Sequence, residues 1–426
     1  MSFYKLIFFS SLLFFQNTFA EPVRLSVSEE TQYFYLYPKN SAFLFSKVEL
    51  SLFGSWEISP DLSFRYDTTA NYVHLSKQDL KQGLLIPTRL GFFGAASVFD
   101  YQIGFWQYAP EGTDLNNLFD VIHGKDFRQP LASENLSSLG LLLRTSFNFI
   151  DWKLFYIPYN TKSILPETQS PWWPRTEALP VQNASGTFLI PDNISYKYRS
   201  ETELNKPFQN NFGSTIKLTF NKIDLHFLYF SGANQIPNIY PNFNIDVTSI
   251  TPLIGVVKPP IELDITWIKS EHLGAGASTV IDPVILKAFC KKQKNFYQDV
   301  TETVACNAAI ESNLDFSKYT LHYFFQVNRL WKKSDTANEL ETLLGFFEKS
   351  VAVGYLLELN PENRISGAVV YNEKNPSTLT SVRFEKKWTE HFKTTFAVNV
   401  ITAEEGTLAK AYDQTDNVSL KLSYDF

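Results

Sequence analysis

Apolar and polar side chains alternate along the last ten residues of the chain. The apolar positions are Val418, Leu420, Leu422, Tyr424 and Phe426, and polar residues stand between them. Because successive side chains of a β-strand point to opposite faces, this pattern predicts a strand with one apolar and one water-facing side. Aromatic residues end the apolar face, as they do where a membrane-spanning strand meets the interface.

The same period of two recurs along most of the chain and predicts about eighteen strands. Sixteen is the alternative, because the first strand and one near 340–347 are weakly patterned. The predicted strands lie near 25–37, 48–56, 62–70, 89–96, 101–108, 139–149, 152–159, 212–220, 223–229, 245–257, 261–269, 319–327, 340–347, 351–359, 364–371, 379–388, 393–401 and 417–426.

Connections between these strands alternate between short turns and long segments. The long segments run through 75–86, 109–137, 160–211, 231–244 and 271–316. A membrane barrel with short periplasmic turns and longer extracellular loops shows this alternation, whereas a soluble β-sandwich has no reason for it. The pattern therefore favours an all-β fold, a transmembrane antiparallel up-and-down β-barrel.

Composition supports a barrel without deciding the matter alone. Aromatic residues make up 16% of the chain and 38 residues are phenylalanine, which an apolar outer band with aromatic girdles would explain. The mean hydropathy of −0.15 fits a barrel and a soluble β-sandwich equally, because half of each barrel strand faces water. A net charge of −6 argues against a nucleic-acid partner.

The amino terminus has the features of a secretory signal peptide. Lys5 precedes an apolar run over 6–15, and Ala20 offers a small residue at a cleavage site. We expect residues 1–20 to be removed and 21–426 to form a single barrel domain. No later stretch approaches the roughly 18 apolar residues of a transmembrane helix.

A final strand closed by a terminal phenylalanine resembles the assembly signal of Gram-negative outer-membrane β-barrels. The resemblance implies that Tyr424 and Phe426 engage the barrel-assembly machinery, and that outer-membrane lipid and lipopolysaccharide surround the protein. It implies a porin-like channel for passive diffusion of small hydrophilic solutes, with a homotrimer left open. The alternatives are a binding or export barrel for a polymer or hydrophobic ligand, and a barrel-embedded lipase-type enzyme.

An enzyme is the weaker alternative, because neither a Gly-x-Ser-x-Gly nor a His-Glu-x-x-His segment occurs. We expect no catalytic residue, cofactor or metal. By strand parity, the polar faces of the strands would line an aqueous lumen. The charged residues predicted to point inward are Lys47, Glu49, Arg65, Asp67, Arg144, Lys153, Lys217, Asp224, Glu262, Asp264, Glu358, Arg383, Glu385, Lys421 and Asp425.

One long segment carries candidates for a pore constriction. Its sequence from Asn117 through Leu118 to Val121 resembles an Asn-Pro-Phe-Asp-Val segment of some porin-like and export barrels, with leucine in place of proline. An aromatic, acidic and basic cluster there could pin the loop to the wall and narrow the pore. An ordinary outer loop is the alternative. The predicted constriction residues are Asp120, Lys125, Asp126 and Arg128 on the segment, with Arg65, Asp67 and Arg144 on the strands.

Two further features concern long segments. Trp172, Trp173 and Arg175 stand in a proline-rich stretch, where the paired rings could stack on a ligand or pack the loop on itself. Cys290 and Cys306 are the only cysteines, and an oxidising compartment favours a disulfide between them that staples a long loop. Such a crosslink would contribute about 3 kcal/mol.

Overall fold

A computed structural model describes most of the chain. The described residues are 23–35, 43–75, 78–113, 115–167, 170–173, 178–180, 186–189, 196–198, 206–251, 253–295, 302–316, 319–332, 349–374, 376–404, 410 and 412–426. The predicted signal peptide, the predicted strand near 340–347 and Arg175 lie outside them.

Eighteen antiparallel strands form one closed sheet, in which the last strand pairs with the first. This confirms the predicted barrel and its strand number. The barrel strands are β1 (Arg24–Phe34), β2 (Phe43–Ser59), β3 (Leu62–Leu75), β4 (Gln78–Ala96), β5 (Phe99–Trp106), β8 (Ser138–Phe147), β9 (Ile150–Tyr159), β13 (Gln209–Phe220), β14 (Ile223–Ala233), β19 (Lys269–Ile281), β20 (Val284–Asn295), β21 (Thr303–Phe316), β22 (Tyr319–Lys332), β23 (Lys349–Asn360), β24 (Asn363–Asn372), β25 (Ser377–Lys387), β26 (Phe392–Ala403) and β27 (Asn417–Asp425).

Among the described residues, nine shorter strands and two 3-10 helices belong to the long segments between barrel strands. The short strands are β6 (Lys125–Asp126), β7 (Glu134–Asn135), β10 (Ala178–Pro180), β11 (Gly186–Leu189), β12 (Tyr196–Tyr198), β15 (Asn238–Asn242), β16 (Ile245–Ile250), β17 (Leu253–Val257) and β18 (Ile261–Thr266). They form a pair β6–β7, a four-stranded sheet β10-β11-β17-β16 and a three-stranded sheet β12-β18-β15. The 3-10 helices are Pro130–Ala132 and Lys206–Phe208. Within the described ranges, no helix is long and apolar enough to cross a membrane.

The barrel wall is apolar outside and polar inside, the reverse of a soluble domain. In the terminal strand Leu420, Leu422 and Tyr424 are exposed on the outer face, whereas Asn417 and Ser419 are buried on the inner one. Tight turns such as the one at Asn221, whose φ is 56°, keep consecutive strands antiparallel, since asparagine tolerates the left-handed region.

The prediction of two barrel strands over 245–257 and 261–269 was wrong. Residues 245–266 form β16, β17 and β18, which belong to the two small sheets and not to the barrel. Their apolar positions pack together, with Val257, Ile261 and Leu263 buried in one cluster. Glu262 and Asp264 were predicted to line the barrel wall, and they do not lie on it.

The prediction of a long loop over 271–316 was also wrong. This region supplies the barrel strands β19, β20 and β21, and the segment 75–86 likewise belongs mostly to β4. The predicted disulfide between Cys290 and Cys306 is present. It joins register partners on β20 and β21 and so crosslinks two wall strands instead of stapling a loop. The predicted and observed numbers of barrel strands therefore agree, but the strands are not all formed by the same segments of the chain.

Candidate functional site

Residues 107–137, here called the crossing segment, leave the wall after β5 and span the barrel interior. Near one wall, Asn307 Nδ2 on β21 donates to Thr113 Oγ1 and to the Asn116 carbonyl, each at 2.7 Å. Near the other, Arg128 Nη2 donates to Asn71 Oδ1 on β3 at 2.8 Å. β3 and β21 are the third and twelfth strands around the closed sheet, so they stand on opposite sides of it.

Apolar packing holds the first half of the crossing segment against the wall. Leu118, Phe119, Val121 and Ile122 join inward-facing residues of the wall strands in a buried cluster. The rings of Phe119 and Phe289 meet edge to face at 5.1 Å, a favourable aromatic geometry. The inner wall is therefore polar in composition but apolar where the segment docks.

A glycine on the wall makes this docking possible. A Cβ at Gly274 of β19 would come within 2.5 Å of the Phe119 ring. No larger residue could stand there without displacing the ring, because contacts that short are not tolerated in packed interiors.

The ion pair of Asp126 and Arg128 fixes the second half of the crossing segment. Arg128 Nε donates to Asp126 Oδ1 at 2.9 Å and Nη2 donates to Oδ2 at 2.6 Å, a bidentate geometry. Both side chains are only 6% exposed. The two charges therefore pair with each other, and Arg128 also donates to Asn71. The pair holds the segment to the wall and is largely shielded from the open lumen.

A second charge network ties the segment to β2 and the closing strand. Lys47 Nζ lies 2.6 Å from Glu49 and 3.7 Å from Glu134, and Lys421 Nζ lies 3.1 Å from Glu49. Partial burial raises the pKa of the half-exposed Glu134 carboxyl, and the charge of Lys47 partly offsets this. The network joins the segment to the seam where β27 meets β1 and β2.

The remaining predicted pair lies within the crossing segment itself. Lys125 Nζ is 2.9 Å from Asp120 Oδ2, and Asn135 Nδ2 donates to Asp120 Oδ1 at 3.0 Å. Both side chains are mostly buried. All four predicted constriction residues of the segment therefore lie inside the barrel, each paired with a neighbour.

His123 organises the middle of the crossing segment. The Tyr108 backbone N–H donates to His123 Nε2 at 2.9 Å, so the ring proton lies on Nδ1 and points to Ser138 Oγ at 3.0 Å. Ser138 Oγ donates in turn to Asn160 Oδ1 at 2.6 Å. Complete burial lowers the pKa of His123 to about 4, and the nearby Asp120 carboxylate opposes this shift. The imidazole is therefore neutral at pH 7.

Beside the segment, a small recess that opens to the lumen is lined by charged residues of both signs. On the wall, Lys217 Nζ lies 3.1 Å from Asp224, and Lys153 Nζ lies 3.6 Å from Asp151. Glu111, at the start of the crossing segment, lies 3.0 Å from the same Lys217. Neither Glu111 nor His123 was singled out from the sequence, because neither belongs to a strand pattern or to the acidic and basic cluster of the segment.

The predicted wall residues face the interior but are not all part of this arrangement. Arg144 Nη2 lies 3.2 Å from Asp151 with its side chain 52% exposed, next to the recess. Arg65 lies over the Phe93 ring at 4.9 Å, and the charge of Arg89 acts on the Asp67 carboxyl. The crossing segment does not contact Arg65 or Asp67 through any hydrogen bond or ion pair found among the described residues.

The tryptophan pair is packed. Trp172 is 1% exposed against Phe34 and donates its Nε1–H to Gln32 Oε1 at 3.3 Å. Trp173 is 4% exposed and meets the Tyr198 ring at 5.6 Å. A ligand would have to displace these neighbours to stack on either ring. The prediction of ligand stacking therefore stays a prediction, with the packing alternative matching the observed contacts.

The terminal aromatic residues lie on the outer face at the carboxyl end of the barrel, and their role as an assembly signal stays a prediction. Tyr424 and Phe426 are exposed on the outer face, with ring centroids 4.7 Å apart. The Phe426 N–H donates to the Leu25 carbonyl at 2.8 Å, so the carboxyl end pairs with the first strand.

No protein-family model and no curated protein matches the chain. Solved structures with the same fold include Pseudomonas aeruginosa OccK2 (OpdF), at 8% identity and a TM-score of 0.52, where the match covers 96% of this chain and 98% of that one. A BenF-like porin from Pseudomonas fluorescens Pf-5 matches at 8% identity and a TM-score of 0.52, over 95% and 98% of the two chains. Pseudomonas aeruginosa OpdQ matches at 9% and 0.50, over 95% and 98%. At such identities, the likeness is one of fold.

Proposed function

We propose that the protein is a porin-like channel of the Gram-negative outer membrane that admits small hydrophilic solutes by passive diffusion. The observation that carries the proposal is the inverted barrel: an exposed apolar outer face surrounds a polar interior. Such a wall has a stable place only where hydrocarbon meets its outside and water fills its inside.

The crossing segment supports a selective channel. It spans the lumen between β3 and β21 and leaves a charged recess beside the wall. In a pore of this kind, charges of both signs near the narrowest point select solutes by charge and size. Asp120, Lys125, Asp126 and Arg128 act in this proposal by holding the segment in place. Arg144, with Lys153 and Lys217, presents charge to the passing solute.

The proposed channel has the partners of an outer-membrane barrel. Lipid and lipopolysaccharide contact its outer face, the assembly machinery reads Tyr424 and Phe426, and a signal peptide over 1–20 is removed during export. A homotrimer is compatible with an apolar outer face. The BenF-like relative in fold is called a porin, which agrees with this assignment.

The histidine contacts support a channel over a membrane lipase. His123, His226 and His272 each contact a serine hydroxyl, Ser138, Ser278 and Ser270 respectively. All three rings are buried on the inner side of the wall or in the crossing segment. A lipase would need such a pair at the outer face, where lipid reaches it.

Single-channel recording in planar bilayers tests the proposal. Purified protein, shown to be folded by heat-modifiable migration on gels, should give discrete current steps whose size rises with salt concentration. The same protein unfolded by heating is the control and should give none. Folded barrels that insert into the bilayer and pass no current would contradict the channel.

A further inference from the structure

Three potential metal ligands converge where the crossing segment meets the wall. Glu111 comes from the segment, and Asp224 and His226 come from β14. One ligand atom from each lies within 4.8 Å of the other two. Strand parity explains the wall pair, because residues two apart on a strand share a face.

The imidazole of His226 is oriented as a ligand would need to be. The residue is buried, and its Nε2 lies 3.2 Å from Ser278 Oγ. With Nε2–H as the donor, Nδ1 carries the free lone pair. Nδ1 lies 3.7 Å from Glu111 Oε2, too far for a hydrogen bond. Metal-binding histidines are usually oriented by a hydrogen bond that the second ring nitrogen donates, most often to a carboxylate, a backbone carbonyl or water. Here the Ser278 hydroxyl takes that position.

Lys217 occupies the position between the two carboxylates. Its ammonium lies 3.0 Å from Glu111 and 3.1 Å from Asp224. A divalent cation would therefore compete with this lysine for the same oxygens. Binding requires that Lys217 has another acceptor within reach.

Asp151 offers that acceptor. It is the register partner of Lys217 on the neighbouring strand β9 and lines the same recess. Its Oδ1 is buried and has no hydrogen-bond partner among the residues that the structure describes. Lys217 can thus turn from Glu111 and Asp224 to Asp151 without leaving its charge unpaired. Lys153 and Arg144 already contact the other oxygen of Asp151, so this second position costs some repulsion.

We propose that Glu111, Asp224 and His226 form a divalent-cation site in the lumen, with Lys217 as a built-in competitor that moves to Asp151 when the cation binds. One imidazole and two carboxylates suit Zn²⁺, with further positions left for water. Because Glu111 belongs to the crossing segment, the cation crosslinks that segment to β14 and narrows the recess.

Zinc titration of the complete, tag-free barrel in detergent by isothermal calorimetry tests the site. One Zn²⁺ should bind per chain in the wild type. His226→Gln and Glu111→Gln should each weaken binding by at least tenfold. His391→Gln, which changes an exposed histidine far along the chain, is the matched control and should leave binding unchanged. Equal affinity in the wild type and in His226→Gln would overturn the site.

Two variants test the competitor separately, with signs that a general loss of structure would not produce. Lys217→Met should bind Zn²⁺ several-fold more tightly, because the competing ammonium is gone. Asp151→Asn should bind it more weakly, because Lys217 loses its second acceptor. Weaker binding by Lys217→Met would overturn the exchange. Heat-modifiable migration of each variant establishes that it is folded, and the channel proposal stands or falls independently of these results.

Discussion

Strand β18 and strand β20 show opposite relations between pattern and position. β18 alternates Ile261, Leu263 and Ile265 with acidic residues, yet it lies in a small sheet inside the long segments. β20 carries Lys287 and Lys291 among its residues, yet it is a barrel strand. Alternation therefore identifies a strand with one dry side, but not what covers that side.

The difference follows from what covers the apolar side of each strand. In β18 the dry side packs on other protein, so it needs large side chains such as Ile261 and Leu263. In β20 the outer side needs only to be free of charge across the apolar band, and Leu286, Ala288 and Cys290 meet that need. The inner side of a barrel strand can carry lysine because it faces water or a carboxylate. Lys287, for example, lies 2.6 Å from Glu311.

Arginine placed on the exposed apolar face of each region should distinguish the two regions most strongly. Ala275→Arg with Ala277→Arg places two arginines on the outer face near the middle of β19. Each arginine costs about 2 to 4 kcal/mol at the centre of a bilayer, so the pair should prevent assembly. The measurement is the fraction of heat-modifiable barrel in outer-membrane fractions.

The matched control carries the same two charges on β16. Val247 and Ile250 are 58% and 83% exposed, but on the four-stranded sheet instead of the barrel wall. Val247→Arg with Ile250→Arg should assemble normally, because these side chains meet water. Normal assembly of the β19 variant would show that its outer face does not meet lipid.

Removal of one partner from the buried pair of the crossing segment should have the next largest effect. Arg128→Met leaves the Asp126 carboxylate buried and unpaired, which costs about 3 to 5 kcal/mol when a buried pair is broken. We expect the segment to detach from β3 while the barrel stays closed. Single-channel conductance should rise, and protease should cut within 107–137.

Arg144→Met tests whether the effect belongs to the buried pair alone. Arg144 pairs with Asp151 in the same lumen, but its side chain is 52% exposed, and such pairs contribute little. This variant should leave the segment docked and protected. Equal protease sensitivity in the two variants would contradict the role assigned to Arg128.

The barrel could be predicted from the sequence because the residues of its outer face can be recognised one strand at a time. The terminal strand, from Val418 to Phe426, shows large apolar side chains at every second position, and so do Ile216, Leu218 and Phe220 of β13. β19 could not be recognised in this way. Its Gly274, Ala275, Gly276 and Ala277 carry no signal of period two, although the glycine at 274 is needed for the Phe119 ring.

The site was less predictable, because its contacts join residues far apart in the chain. Arg128 and Asp126 were singled out as charges. Asn71, which accepts a hydrogen bond from Arg128, is not distinguished by any pattern in β3. Lys47, Glu49 and Lys421 were predicted to face inward, and their meeting with Glu134 depends on the closure of the sheet. Strand parity gives the direction of a side chain, and only the register of neighbouring strands gives its partner.

Acid should loosen the crossing segment through His123, with a smaller effect than either substitution. The folded pKa of about 4 lies below the usual 6.5, so the stabilisation from docking the neutral ring is complete above pH 6.5 and is lost as the pH falls towards 4. At pH 5 the loss amounts to about 2 kcal/mol. Glu134, whose pKa is raised, acts in the opposite direction, and its side chain is half exposed, so it offsets only a part of this loss.

Protease cutting within 107–137 should therefore increase between pH 7 and pH 5 in the wild type and in the exposed control His391→Gln. In His123→Asn the cutting should be nearly independent of pH, and a dependence as steep as in the wild type would assign the titration to another group.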